Sequence, residues 1–231
     1  MPHDHGHPLS RRTVLRGAGL AAAGLAAAAL AACTTSPPAP AGPAATSTST
    51  GTPVNPSSRS RILLAYFSRP GENYWYGDRR TLETGNTEVL AGMISDRIDC
   101  DVYRIEAADP YSDAYDPTVA RNSEEQDADA RPAIAGALPD LTQYDTVLLG
   151  SPIWNVQPPM IMATFVEAID LASKDVHPFV TYAVSGLGST ARFYRDLDTG
   201  ARLGDGLAVQ GEEVDGAATD LDQWPSAAGL A

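Results

Sequence analysis

Ile62-Leu63-Leu64-Ala65-Tyr66-Phe67-Ser68 and, further along, Thr84-Gly85-Asn86-Thr87 decide how this chain is read. The first stretch is a continuous apolar run that ends in a hydroxyl. Such a run fits a strand covered on both faces, as in a parallel sheet lying between two layers of helix. The second stretch joins hydroxyls and a glycine to the start of a helical pattern. Free N–H groups at a helix N-terminus carry partial positive charge, glycine lets a ligand come close, and Ser or Thr hydroxyls donate hydrogen bonds. A buried strand followed by that loop predicts a cradle for a phosphorylated ligand.

Outward from this point the chain alternates strand and helix. Strands are predicted over Ile62–Phe67, 102–106, 146–151 and 179–185, with a weak one over Leu207–Gln210. Between them, 88–98 places Val89, Leu90, Met93 and Ile94 at helical spacing, and 159–171 does the same with Met160, Ile161, Phe165 and Ile169. Strand, crossover helix, strand is the parallel α/β arrangement with right-handed crossovers. Residues 61–231 are enough for one domain with a sizeable core. The stretch 107–143 is long for a simple crossover. Asp116-Pro117 is placed there as the N-cap and N1 of a helix. The carboxylates Glu124, Glu125, Asp127 and Asp129 read as a solvated face, and with no His or Cys among them no metal site is assigned.

The N-terminal part reads differently. Arg11-Arg12 stands ahead of the uncharged Ala- and Gly-rich stretch 17–32, which predicts a twin-arginine export signal over 1–32. That stretch is shorter than the roughly 20 apolar residues a spanning helix needs. Leu30-Ala31-Ala32-Cys33 resembles the lipobox of bacterial lipoproteins, which implies lipid on Cys33 and anchoring at the outer face of the cell membrane. A plain signal with a chance cysteine is the alternative. Residues 33–60 are rich in Thr, Ser, Pro, Ala and Gly, a composition that buries too little apolar surface to offset its ordering entropy, so they read as a flexible linker. With Cys33 lipidated, Cys100 has no partner for a disulfide and reads as a small core residue.

The net charge is −13, and loss of residues 1–32, with three Arg and one Asp, brings it near −15. This argues against nucleic acid as a partner and for basic protein partners, although acidity also serves solubility alone.

In open α/β sheets ligands bind beyond the carboxyl ends of the strands, where strand order reverses. The predicted strand ends carry Ser68, then Gly150-Ser151-Pro152-Ile153-Trp154-Asn155, then Ser185-Gly186-Leu187-Gly188-Ser189. Together with Ala65-Tyr66-Phe67-Ser68 and Gly85-Asn86-Thr87, these motifs resemble the flavodoxin-like family, in particular its bacterial branch with a Pro-Ile-Trp loop. The resemblance runs from about residue 61 to 224. It implies a doubly wound, five-stranded parallel sheet of order 2-1-3-4-5 over 61–231, with FMN as cofactor. Ser68, Asn86 and Thr87 match phosphate-binding positions, with Thr84 and Gly85 completing that loop. Trp154 matches the aromatic on the flavin ring, with Ser151, Pro152, Ile153 and Asn155 along the same edge. Backbone groups of Ser185, Gly186, Leu187 and Gly188 are expected on the pyrimidine side.

One departure is an insertion between Ser68 and Thr84. It carries Glu72, Asn73, Tyr74, Trp75 and Tyr76, and is either a cover over the cofactor or a surface ornament. Trp154 is weighed between flavin contact and rim packing, while Trp224, Phe193 and Tyr194 are expected to pack. No side chain stands out as acid, base or nucleophile. The functional expectation is an FMN protein outside the cytoplasm that carries electrons for a redox partner or reduces a small-molecule acceptor. The alternative is a flavin-free lipoprotein of the same fold, acting as a binding or scaffold module.

Overall fold

The apolar run becomes strand β1 (Ile62–Phe67), buried over its whole length in the computed structural model, which describes residues 61–230. Side chains alternate across a strand, and here both faces are filled. Leu63, Ala65 and Phe67 join one core with Val147, Leu149, Ile161 and Phe165, while Ile62, Leu64 and Tyr66 join another with Leu90, Ile94, Phe179 and Leu221. The export signal 1–32, the linker 33–60 and Cys33 lie outside the described residues.

After β1 the chain forms a hairpin of β2 (Gly71–Trp75) and β3 (Asp78–Leu82), then α1 (Asn86–Ser95), β4 (Asp101–Ile105) and α2 (Tyr115–Asp127). There follow β5 (Thr146–Pro152), α3 (Met160–Ala168), β6 (Asp175–Tyr182), α4 (Thr190–Asp196), β7 (Arg202–Leu203), β8 (Leu207–Gln210), a 3₁₀ turn (Gly211–Gly216) and α5 (Ala218–Ala227). The main sheet is parallel throughout, in the order β4-β1-β5-β6. The fifth place is shared: β7 pairs with Asp175 and Val176 of β6, and β8 pairs with Phe179 through Tyr182. The expected order therefore holds for four strands, and the fifth is split into two pieces laid along one edge. The break falls at Pro178, which has no N–H to give to a ladder.

That proline also accounts for a misplaced strand. The sequence places this strand over 179–185, but β6 begins at Asp175, includes His177-Pro178, and ends at Tyr182. Helix α2 differs as well. Its N-cap is Ala114, not Asp116, and Pro117 lies inside the first turn, where a missing N–H costs nothing. The cap is supplied from a distance: Tyr115 N–H donates to Glu72 Oε2 at 2.9 Å, so a carboxylate of the hairpin sets where α2 starts. Within the acidic run, Glu125 is buried and accepts from Tyr111 Oη at 2.8 Å and Arg121 Nε at 2.7 Å, which the solvated-face reading misses. Burial pushes the Cys100 thiol up to about 11, so it carries no thiolate at neutral pH.

Gly150 of β5 has the Phe179 ring where a side chain would stand, and Trp224 of α5 packs on the same ring with centroids 6.5 Å apart. Phe179→Ala removes the centre of this core face and is expected to cost about 3–5 kcal/mol in urea unfolding followed by circular dichroism. Val102→Ala, at the exposed edge of the sheet, is expected to stay within about 0.5 kcal/mol.

Candidate functional site

The order β4-β1-β5 means that the chain leaves β1 to one side and returns on the other, which opens a crevice beyond the carboxyl ends of β1, β5 and β6. A cleft lies there, with about 620 Å³ of space when its open mouth is included.

Its floor is the N-terminus of α1. Gly85 is the N-cap, and its carbonyl accepts from Glu88 N–H at 3.0 Å and Val89 N–H at 3.2 Å. Ser68 Oγ, arriving from β1, accepts a second bond from Glu88 N–H at 3.1 Å. The N–H groups of Asn86 and Thr87 belong to the first turn, where a helix offers no acceptor of its own. Thr87 Oγ1 and Thr181 Oγ1 are 2.7 Å apart and tie α1 to β6 beneath the cleft. Gly85 is required for space: a Cβ there would stand 2.5 Å from the Arg69 carbonyl oxygen and collide with Ser68 Oγ.

One wall is the loop after β5. Pro152, Ile153 and Trp154 line the cleft. The Trp154 ring is held edge-on by Phe67 and Tyr111, with centroids 5.7 and 5.1 Å away. Its carbonyl accepts from Gln126 Nε2 at 3.0 Å, and Asn155 Nδ2 donates to Gln126 Oε1 at 2.8 Å, so α2 fixes the loop from behind. Burial, and then Glu125, pushes the Tyr111 phenol far up and keeps it protonated as the donor to that carboxylate. Asn155 and Val156 both have positive φ, at 50° and 66°. That is costly for a β-branched residue, and Val156 is held there by Ser189, whose N–H and Oγ donate to its carbonyl at 2.7 and 3.1 Å.

The hairpin β2–β3 roofs the cleft. Near its base Glu72 N–H donates to Asp113 O at 2.7 Å, and closer to the turn Arg79, opposite Tyr74, clasps Asp116 with two bonds of 2.9 and 2.6 Å. At its tip Tyr76 N–H donates to Glu212 Oε1 at 3.0 Å, on the opposite rim. Asn73 and Tyr74 line the cleft below. Trp75 lies under the Arg80 guanidinium at 4.4 Å and Tyr76 is exposed. The insertion is therefore a cover in which Tyr74, not Trp75 or Tyr76, faces inward.

Of the residues expected at the site, Ser68, Asn86, Thr87, Pro152, Ile153 and Trp154 line the cleft, and Gly85 supports its floor. Thr84 is exposed and outside the lining. Ser151 is fully buried in the sheet, and Asn155 is spent on Gln126. Ser185, Gly186, Leu187 and Gly188 do not line it. Their turn packs on Val156 instead, where Gly188, at φ 52°, leaves no room for a Cβ 3.0 Å from the Val156 carbonyl carbon. Because β6 ends at Tyr182, the residues that leave the sheet at the cleft are Thr181, Tyr182 and Ala183. Arg69, Tyr115, Gly211 and Glu212 also line it and escaped the sequence reading. Arg69 follows directly on Ser68 and is the one with a visible signal.

A flavodoxin family model matches residues 81–226, more than half of the chain. No protein of curated function matches it. Among solved structures, the "putative flavoprotein" of Bacteroides eggerthii is 27% identical with a TM-score of 0.59, covering 74% of this chain and 99% of that one. Its namesake from Bacteroides uniformis is 29% identical with a TM-score of 0.59, covering 72% and 98%. A Lactobacillus acidophilus flavoprotein in complex with FMN shares the fold at 19% identity and a TM-score of 0.51, covering 68% and 97%. With the parallel sheet, the cleft at its switch point and a family match over most of the domain in agreement, the chain belongs to the flavodoxin family.

Proposed function

We propose that this protein binds FMN in the cleft and uses it to carry electrons to a partner protein or to reduce a small acceptor. The observation that carries this reading is the convergence of two unlike ends in one cleft. The α1 N-terminus with Ser68 and Thr87 suits a phosphate, and Trp154 and Tyr74 suit a flat ring. The Lactobacillus acidophilus relative is a flavoprotein in complex with FMN, and the residues here fit the same group. Gly85 lets Ser68 and the Arg69 carbonyl pack directly on the start of α1, and the first-turn donors of Asn86 and Thr87 face an anion favourably.

Asn86, Thr87 and Ser68 would hold the phosphate, and Trp154, Ile153 and Tyr74 the ring. FMN, when bound, supplies the one- or two-electron chemistry. The chain contributes orientation, exclusion of water and field. Phe67 and Tyr111 fix the Trp154 ring before any ligand arrives, and the hairpin covers the cleft from outside. A surface with net charge −13, with Glu212 on the rim, raises the energy of negative charge added at the site and so lowers the potential of a bound flavin. In this reading the protein leaves the cell by the twin-arginine route, already folded around its cofactor, and stays on the outer face of the membrane through lipid on Cys33.

The purified full chain is expected to be yellow, and acid extraction is expected to release FMN identified by mass. A colourless preparation that ignores added FMN would favour the flavin-free scaffold. Stacking of a base on an aromatic side chain is worth about 1–3 kcal/mol, so Tyr74→Ala is expected to weaken FMN binding about 10- to 100-fold by fluorescence titration. Trp75→Ala is expected to stay within about twofold, since a ring parked under Arg80 takes no part. For the anchor, Cys33→Ser is expected to move the exported protein from the membrane fraction to the soluble one. Retention in the membrane would sink the lipid assignment.

A further inference from the structure

Among the described residues Arg69 is the only cation lining the cleft, and it is only 8% exposed. Buried guanidinium groups are normally paired with carboxylates, because taking the charge out of water costs several kcal/mol unless it is compensated. Arg69 is not paired in this way. One terminal nitrogen donates to Ser112 O at 2.9 Å and Asp113 O at 3.3 Å, and the other donates to the Glu72 carbonyl. All three acceptors are neutral backbone oxygens. Among the described residues no carboxylate comes within ion-pair distance of it. The carboxylate of Glu72 is turned to Tyr115 N–H and Arg79, and Asp113 is exposed. Both act on Arg69 only at longer range, and burial still draws its proton affinity down, although an arginine stays charged at any working pH.

The third donor, Nε–H, is buried without any partner. An orphaned buried donor calls for a physical cause, and an anion bound at the site is one of the few available. The location supports it. Ser68, the preceding residue, caps α1, and the Arg69 carbonyl sits directly against Gly85. The uncompensated cation is therefore built into the same turn that presents the α1 N-terminus.

We infer that Arg69 is the charge partner of the phosphate in this cleft, and that this residue makes the site select a phosphorylated flavin over an unphosphorylated one. The inference rests on the FMN reading above and adds the residue that sets its specificity. The terminal nitrogens, spent on the carbonyls at 112, 113 and 72, hold the guanidinium rigid, and its charge is left for the ligand. A charge-assisted bond from a fixed, dry donor is stronger than the same contact in water. The carbonyl fan alone would be a staple between β1, the hairpin and the loop before α2, which predicts equal losses for every flavin.

The test is the affinity of the full chain for FMN and for riboflavin, compared between wild type, Arg69→Gln and Arg69→Lys. Hydrogen bonds to charged groups are worth about 1.5–3 kcal/mol. Arg69→Gln is accordingly expected to weaken FMN about 10- to 100-fold and riboflavin by less than about threefold, with Arg69→Lys recovering part of the FMN preference. Equal losses for the two flavins, or no loss for either, overturns the inference and leaves Arg69 a staple. A second measurement uses the wild type alone, in case Arg69→Gln does not fold. The ¹⁵Nε–H resonance of Arg69 is expected to shift on adding FMN, and an unmoved resonance with FMN bound overturns the assignment. If the wild type binds neither flavin, the FMN reading has failed and the Arg69 site is judged by inorganic phosphate. The Nε–H resonance is expected to shift with phosphate and not with chloride, and a resonance indifferent to phosphate removes the anion site as well.

Discussion

The bond from Glu88 N–H to Ser68 Oγ joins the apolar and polar halves of this molecule. Up to Phe67 the first strand is governed by burial on two faces. At Ser68 the chain passes out of the sheet, and a helix N-terminus waits below with donors to satisfy. A hydroxyl at that position closes one of those donors and fixes α1 against the end of β1, leaving the N–H groups of Asn86 and Thr87 to the cleft. Gly85 permits the close approach that this geometry demands. The second tie, between Thr87 and Thr181, sets the distance from α1 to β6. The floor of the cleft is thus made by the same contacts that make the sheet pack, and it is as rigid as the core.

The walls follow a different logic. The Trp154 loop is held by α2 through Gln126, and behind Trp154 stand Tyr111 and Phe67. Tyr111 in turn is fixed by Glu125 with Arg121 against its ring at 4.0 Å. A stretch of carboxylates that looks like solvated surface therefore contains a buried member that reaches the site through one tyrosine. The two strained residues after Trp154 belong to this arrangement. They turn the chain sharply enough to bring Gln157 back onto Trp154, with reciprocal backbone bonds of 2.9 and 3.4 Å, and Ser189 stabilises the result.

How much of this could be read from sequence depends on range. β1 was legible to the residue and β5 to within one, because continuous apolar runs with two buried faces have a local signature, while β8, with one face buried, carried a weaker one. Ser68, Asn86 and Thr87 were legible because a strand end and a helix start are both local events. The start of β6 was hidden by Pro178, which breaks strands in general and is tolerated here only because the neighbouring edge is itself interrupted between β7 and β8. With β6 ending at Tyr182, Thr181 through Ala183 stand at the cleft, and the turn Ser185 through Gly188 lies outside its lining. The start of α2 was hidden because its cap comes from Glu72, far away in sequence. Arg69 was passed over because its significance lies in what does not face it, and an absent counter-charge leaves no mark on a sequence.

The roof is the part of the site with the least holding it. Its two strands pair only with each other, in a sheet separate from the main one. A lone two-stranded hairpin is marginal in water, so its place depends on its attachments. Near the base these are Arg69 to Glu72 O and Glu72 to Tyr115 and Asp113, and toward the turn Arg79, opposite Tyr74, holds Asp116. At the tip Tyr76 N–H donates to Glu212, and the Tyr76 phenol bonds to Glu213 beside it. Exposed pairs of this kind contribute about 0–1 kcal/mol each, so the hairpin is held by the sum of contacts along both strands, with Gly71, at positive φ, packed directly on the Asp113 backbone. The strand that carries Tyr74 over the cleft is therefore placed from two sides, by Asp116 of α2 through Arg79 and by the 3₁₀ turn through Tyr76.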